Sequence, residues 1–477
     1  MKRYEMLAAD IAASIQNGTL KPGDKLPSVR RASSSRHVSP ATVFEAYYLL
    51  EARGLIRSRA RSGYYVAQPA RSLAPEPDRT SQPDGEARPV AVSELVLGIL
   101  ESAMSRDVVP LGSAFPSPWL FPLDRLGRAT ANAIAHLDPW MTVDDLAPGS
   151  ISLRQQIALR YLIDGVQIRP DQIIVTNGAM EALNLCLSAV CKAGDAVLVE
   201  SPCFYVCLQA LERLGLRAVE VATDPREGID LDALEQAIVR HRPKACWLMT
   251  NFQNPLGSSM GEAKKRSLVA LATRHGIPII EDDVYAELYF GSDRPAPTKA
   301  FDPDGWVMHC GSFSKTMAPG YRVGWTAPGR FLREVMFRKL TTSLAASLPA
   351  QLGIARYLER GSHEKHLREL RLGLRKNRDQ YIEAISHYLP AGTRVSRPAG
   401  GYFLWVEMPG GIDALALHRE AMERGISIAP GPMFSASNDF RNCVRINFGH
   451  PFTSRVELAI QELGRQASKL ARAKASR

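Results

Sequence analysis

At 477 residues, with 45% hydrophobic and 23% charged side chains, the chain has an ordinary globular composition and is too long for one core, so two or three domains are expected. No apolar run approaches the roughly 18 residues of a membrane span, and Met1-Lys2-Arg3-Tyr4-Glu5 lacks the apolar centre of a signal peptide, so no membrane partner is expected and the cytoplasm is the expected location. The formal charge of +10 is uneven: residues 1–68 hold eleven Lys/Arg against five Asp/Glu, which points to an anionic partner for that segment. Seven cysteines, none in a CxxC pair and none at metal-ligand spacing from a histidine, read as reduced and mostly buried thiols, and no metal site is expected.

In chain order, Leu7, Ile11 and Ile15 recur every four residues and predict a helix that Asn17-Gly18 stops. Lys21-Pro22-Gly23-Asp24 is a turn, and a second short helix is expected from Ser28. Ser39 and Pro40 suit the cap and first position of a third helix, with Val43, Ala46, Tyr47 and Leu50 as its buried stripe and Gly54 at its end. Two short strands, 55–59 and 64–66, flank a basic turn at Ala60-Arg61-Ser62-Gly63. Three helices and a basic hairpin describe a winged helix-turn-helix. Ser39, Ala41, Thr42 and Glu45 would then face base edges, with Arg30, Arg36, His37, Arg59 and Arg61 near phosphates or the adjoining groove. The same pattern would also serve a small helical cap whose arginines are merely solvated.

Leu26-Pro27-Ser28-Val29-Arg30, Val38-Ser39-Pro40-Ala41-Thr42-Val43, Gly54-Leu55-Ile56 and Ser62-Gly63-Tyr64-Tyr65-Val66 resemble the DNA-binding domain of the GntR family. The resemblance implies double-stranded promoter DNA as partner, touched by Arg30, the start of the third helix and the region of Gly63. Ala32-Ser33-Ser34-Ser35 departs from the leucine-containing helix usual in the family, so a weak second helix is expected. Residues 69–90 follow as a linker, rich in proline (Pro69, Pro75, Pro77, Pro83, Pro89) and expected to be flexible, with a reach of about 25 Å.

Residues 91–477 read as one larger α/β domain. The expected strands are 172–176, 196–200, 245–249, 277–281 and 306–309, short apolar runs between helical stretches. They predict a mostly parallel sheet whose ligands bind beyond the carboxyl ends of the strands. Chemistry-bearing residues fall at those ends. Asn177-Gly178-Ala179-Met180 opens a helix and is a candidate phosphate seat. Ser201-Pro202-Cys203-Phe204 brings an aromatic ring, Asn254 an amide, Asp282-Asp283-Val284-Tyr285 carboxylates and a phenol, and Ser312-Phe313-Ser314-Lys315 two hydroxyls and an amine, with Arg322 seven residues on. An imine-forming lysine, a carboxylate for a ring nitrogen, donors for a phenolic oxygen, a stacking ring and a phosphate seat are together the demands of pyridoxal 5′-phosphate.

In this order the motifs resemble the class I/II aminotransferases of fold type I over about residues 110–465. The resemblance implies Lys315 as the Schiff-base lysine and catalytic residue, and Asp282 as the pyridine partner. Tyr285 and Asn254 would bind the phenolic oxygen, with Phe204 as the stacking ring and Cys203 beside it. Gly178, Ala179, Met180, Ser312, Ser314 and Arg322 would form the phosphate seat. Arg445, on Asn442-Cys443-Val444-Arg445-Ile446-Asn447-Phe448, would clamp an α-carboxylate, a bidentate task that suits a guanidinium fork.

The join of the two parts resembles the MocR subfamily of transcription regulators, as do residues 111–116, 147–154 and 429–434. That resemblance implies a head-to-tail homodimer that senses an amino acid, an amine or the cofactor through Lys315. Asp144-Asp145 stands where relatives often carry a tyrosine that reaches the cofactor phosphate, and an added anion there would weaken cofactor binding. Two other readings stay open: an active aminotransferase with an accessory head, and a repressor with an empty body.

Overall fold

Ser28 and Ser39 act as side-chain caps, accepting hydrogen bonds from the backbone N–H of Arg31 and Thr42 at 3.3 and 3.2 Å. From them the N-terminal unit builds its helices Val29–Arg36 and Pro40–Ala52, after a first helix Arg3–Gln16. This is a computed structural model; it describes all residues except 1, 22, 54, 60–62, 67–72, 103, 104, 145, 476 and 477. The chain divides into two units, residues 1–73 and 74–477.

In the first unit the predicted stripe Val43, Ala46, Tyr47 and Leu50 is fully buried, and the Tyr47 hydroxyl donates to the Pro27 carbonyl at 2.8 Å. Gly54, expected to end the third helix, lies outside the described residues. The second helix forms as Val29–Arg36 despite its serine run, whose hydroxyls find backbone acceptors. Ser33, Ser34 and Ser35 each donate to a backbone carbonyl, of Val38, Arg30 and Ala32, and Ala32 supplies the buried contact. Strands Ile56–Arg59 and Gly63–Val66 pair antiparallel as the wing. Leu50→Ala should destabilise this unit by about 2–5 kcal/mol, the usual cost of emptying a filled core position. Hydrogen exchange of residues 3–59 in the full chain would report it.

The proline-rich segment differs from the free linker expected. From Ala74 it is strapped to the second unit. The Ala74 N–H donates to Ser386 Oγ at 2.9 Å, the Val395 N–H donates to the Pro75 carbonyl at 2.9 Å, and Arg397 and Arg394 donate to the carbonyls of Ala74 and Glu76 at 3.0 Å. Proline has no N–H but keeps its carbonyl, so an extended proline-rich chain can still be held as an acceptor. Ala87–Pro89 then adds an edge strand, antiparallel to Arg217–Asp224.

The main sheet of the second unit has, among the described residues, nine strands. Arg217–Asp224, Ala196–Ser201, Ala245–Leu248, Ile279–Asp282 and Val307–Ser312 run parallel in that order. Gly324–Ala327 is antiparallel to the last of these and pairs in turn with Ile174–Thr176. The five expected strands are therefore present. Arg217–Asp224 and Gly324–Ala327 were not expected: charges interrupt the apolar pattern of the first, and a glycine and a threonine that of the second. Helices cover the sheet, and the carboxyl ends of the parallel strands share one edge. A second sheet, Arg394–Val395, Phe403–Glu407, Cys443–Asn447 and Ala429–Pro430, packs with the long helices His363–Tyr388 and Ser454–Ala475. Its strand Cys443–Asn447 carries Arg445 toward the edge of the main sheet. No helix among the described residues is long and apolar enough to cross a membrane.

Candidate cofactor site and DNA-binding face

Lys315 lies three residues beyond the end of the strand Val307–Ser312. Its ammonium nitrogen lies 3.2 Å from the Ala114 carbonyl, 4.2 Å from the centre of the Phe115 ring and 5.8 Å from that of Tyr285. Burial lowers its pKa to about 7; Asp282 opposes the shift, while the cations of Arg445 and Arg322 add to it. Asp282 ends the neighbouring strand and is 1% exposed. Burial raises its carboxyl to about 7, with the Lys315 cation working against the rise.

Asn254 and Arg445 are both fully buried, and they are coupled. Arg445 Nη1 donates to Asn254 Oδ1 at 3.0 Å, and Nη2 donates to the Gly112 carbonyl at 2.7 Å. With its oxygen turned to the guanidinium, Asn254 presents Nδ2 as a donor. Arg445 stacks 4.2 Å over the centre of the Phe403 ring, with Phe434 and Tyr205 at 5.2 and 6.0 Å. Burial among these rings lowers its pKa, though not far enough to discharge a guanidinium. Tyr285 is buried edge-on against Tyr402. Phe204 is half-buried, caps the helix Tyr205–Arg213 and meets Tyr205 edge-on at 4.9 Å. Cys203 beside it is buried, as are the other cysteines.

The candidate phosphate seat is built by close backbone approach. Gly178, at φ +80°, caps the helix Ala179–Val190, and a Cβ there would strike the Arg322 guanidinium. Arg322 Nη2 donates to the Asn177 carbonyl at 3.1 Å, which holds it across the helix start. The first-turn N–H groups of Ala179 and Met180 lie at the positive end of the helix dipole. Ser312 Oγ and Ser314 Oγ are 2.9 Å apart, and the Ser314 N–H donates to Ser312 Oγ at 3.0 Å. Glu181 does not compete for the seat, since it accepts from Lys339 Nζ at 2.8 Å and from the Asn177 N–H at 2.6 Å. Gly324 passes so close that an added Cβ would lie 2.5 Å from Gly178 C and 2.7 Å from Ala179 N. Gly324→Ala should therefore displace the helix start. Such overpacking should cost about 1–3 kcal/mol of stability, and cofactor affinity by equilibrium dialysis should fall as the seat moves.

Several contacting residues were assigned no role from sequence. Ala114 and Phe115 meet Lys315 across some 200 positions. Tyr402 donates to the Ala114 carbonyl at 3.1 Å, and Asn447 Nδ2 donates to the carbonyls of Ser113 and Phe115 at 2.9 and 2.7 Å. Only the match at residues 111–116 hinted at that loop. Asp144 ends the short helix Met141–Asp144 and is exposed, and Asp145 lies outside the described residues. Arg154, a candidate to compensate for these anions, donates to the carbonyls of Gly149 and Pro170 at 2.9 and 2.8 Å.

Asp282 Oδ1, Asn254 Nδ2 and Arg445 Nε are buried without a hydrogen-bond partner among the described residues. Buried groups rarely stay unpaired, because each costs about 1–3 kcal/mol. Together they offer an acceptor for a ring N–H, a donor for a phenolic oxygen and a donor for a carboxylate, beside an amine of lowered pKa and an anion seat. That set fits pyridoxal 5′-phosphate.

In the first unit Arg30 and His37 are exposed, and Arg36 forms a 3.4 Å ion pair with Asp10 in which both side chains are more than half exposed. Such a pair contributes little and leaves the cation free to exchange partners. Ser39 is the cap of the third helix, and Ala41 and Thr42 occupy its first turn. Gly63, at φ +104°, opens the second wing strand. The side chain of Arg59 and all of Arg61 lie outside the described residues.

The architecture of the second unit, with this set at its strand ends, is that of a fold type I, pyridoxal-phosphate-binding protein. Residues 147–462 match the family described as Aminotransferase class I and II, and residues 3–66 match Bacterial regulatory proteins, gntR family. The uncharacterized HTH-type transcriptional regulator YdcR of Escherichia coli K12 is 44% identical over 98% of this chain and 99% of its own. The kynurenine aminotransferase of Pyrococcus horikoshii, solved with PMP, is 28% identical over 80% of this chain and 95% of its own, with a TM-score of 0.73. LysN, the alpha-aminoadipate aminotransferase of Thermus thermophilus, solved with N-(5′-phosphopyridoxyl)-L-leucine, is 26% identical over 81% of this chain and 100% of its own, with a TM-score of 0.69. The chain belongs to the class I and II aminotransferase family and carries a gntR-family head, the combination of MocR-type regulators. It is a GntR-type DNA-binding regulator fused to an aminotransferase-like, pyridoxal-phosphate-binding body.

Proposed function

We propose that the body is a sensor: it holds pyridoxal 5′-phosphate on Lys315, takes up an amino acid or amine there, and thereby changes how the head holds promoter DNA. The observation that carries this reading is the trio of unpaired buried groups on Asp282, Asn254 and Arg445 around an amine of lowered pKa. When bound, the cofactor supplies an aldehyde carbon for amines and a protonated ring that withdraws electrons. The chain's own residues do the rest. With its pKa lowered to about 7, a large share of Lys315 is neutral near pH 7 and can act as a nucleophile. Asp282 keeps a proton on the ring nitrogen. Asn254 and Tyr285 donate to the phenolic oxygen, and Phe204 covers one ring face. Gly178, Ala179, Met180, Ser312, Ser314 and Arg322 hold the phosphate, and Arg445 takes the carboxylate of an amino-acid effector.

In the head, Arg30, Arg36, His37, Arg59, Arg61 and the wing at Gly63 face phosphates, and Ser39, Ala41 and Thr42 face the groove. A homodimer completes the reading. Trp119, Trp140 and Ile163, 91%, 70% and 76% exposed, support it as apolar surface for a second copy to cover.

A ligand shifts such a regulator only by its differential affinity for the two states. The test is to titrate candidate amino acids and amines against the absorbance of the bound cofactor while footprinting the protein on its own promoter. One compound should move both signals at the same concentration. Rapid turnover of amino acid and keto acid without sequence-selective, salt-sensitive DNA binding would mean an enzyme instead.

A further inference from the structure

The outer face of the third helix of the head is unusual for a surface that meets an anion. Ala41, Phe44, Glu45 and Tyr48 form its exposed ridge, with Phe44 and Tyr48 56% and 66% exposed. At 3.6 residues per turn these four fall within roughly 100° of one another, opposite the buried stripe of Val43, Ala46, Tyr47 and Leu50. The cations lie elsewhere: Arg30, Arg31, Arg36 and Arg57 are exposed on the flanking elements. Residues 38–52 contain no Arg, Lys, Asn or Gln. Those are the side chains that pair bidentately with guanine and adenine in the major groove. The two hydroxyls of the helix start are engaged with each other, Ser39 Oγ and Thr42 Oγ1 lying 2.8 Å apart, and Ser39 also caps the Thr42 N–H.

Besides these partly engaged hydroxyls, the exposed ridge offers base edges a methyl group, a phenyl ring and a carboxylate. An apolar side chain in the major groove matches the 5-methyl group of thymine, and a carboxylate accepts from the N4 amino group of cytosine. We infer that the third helix of the head reads its share of the operator through thymine methyls against Ala41 and Phe44 and a cytosine amino group against Glu45. This rests on the DNA-binding half of the function proposed above. Tyr48 extends the same exposed ridge.

The test uses the full-length protein and a duplex chosen by it from a random pool, with dissociation constants taken at one fixed salt concentration. Each thymine in turn is replaced by deoxyuridine, which removes the 5-methyl group and keeps base pairing. At one or more positions the wild type should bind about three- to tenfold more weakly, the range for one buried methyl group and its packing. Phe44→Ala should show no such difference at the Phe44-contacted position, and Glu45→Gln should relax the cytosine preference at another. Phe44 is exposed, so its truncation leaves the core intact. Equal binding of thymine and uracil duplexes by the wild type overturns the inference. So does a Phe44→Ala protein that keeps the full thymine preference. So does a Phe44→Ala protein altered only in self-association by sedimentation, which would give the ridge to a second copy. If no pool member is bound with sequence selectivity and salt dependence, the DNA-binding reading itself fails, a distinct result.

Discussion

As purified, Lys315→Ala should carry no cofactor fixable by borohydride and none of the wild type's borohydride-sensitive absorbance. The replacement removes the amine that lies against Ala114, Phe115 and Tyr285 and leaves the phosphate seat in place. Free cofactor should still bind, weakly and reversibly, and mass spectrometry after reduction should find no adduct. The wild-type reaction also has a pH signature. Only the neutral amine attacks a carbonyl, and burial, aided by Arg445 and Arg322, sets the Lys315 pKa to about 7. The rate at which cofactor-free protein takes up the aldehyde should rise about tenfold between pH 6 and 8 and then level off. An unperturbed lysine would keep gaining about tenfold per unit beyond pH 8. Asp282→Asn removes the anion that opposes the shift, so the plateau should move to lower pH.

Arg445→Met should abolish the response to amino acids while sparing the response to simple amines. The guanidinium is fully buried, with Nη1 on Asn254 and Nη2 on Gly112, and its Nε has no partner among the described residues. Losing one side of a buried, hydrogen-bonded charge pair costs about 2–5 kcal/mol, or roughly thirty- to several-thousand-fold in affinity. Arg445→Lys keeps the charge and loses the fork, so it should fall between the two. Calorimetry with an amino acid and with its decarboxylated amine separates the carboxylate contribution from the amine contribution. Equal losses for both ligands would mean that Arg445 acts through Asn254 instead of on the carboxylate.

Residues that do their work at strand ends were legible from sequence because local pattern marks those ends. Ile279–Asp282 and Val307–Ser312 are short apolar runs that stop at polar residues, and Asp282 and Ser312 sit where the pattern breaks. The head was legible for the same reason, since Ser39, Pro40 and the stripe from Val43 to Leu50 are local signals. The loop at 112–115 was not. Its contacts with Lys315, Arg445 and Asn447 join segments about 200 to 330 positions apart, and no periodicity records such a contact. The strap from Ala74 was misread because proline-rich composition lowers the tendency to fold locally but does not prevent carbonyls from being held by a neighbouring lobe. The serine-rich second helix forms all the same: its hydroxyls find backbone carbonyls nearby, which composition alone does not reveal.

The most direct measurement is operator affinity in the presence and absence of a saturating amino acid, for wild type and Lys315→Ala side by side at one salt concentration. The wild type should change by about five- to 150-fold, a coupling of about 1–3 kcal/mol, and Lys315→Ala should not change. A wild-type operator affinity unmoved by any amino acid or amine, in a protein that turns those compounds over rapidly, would contradict it.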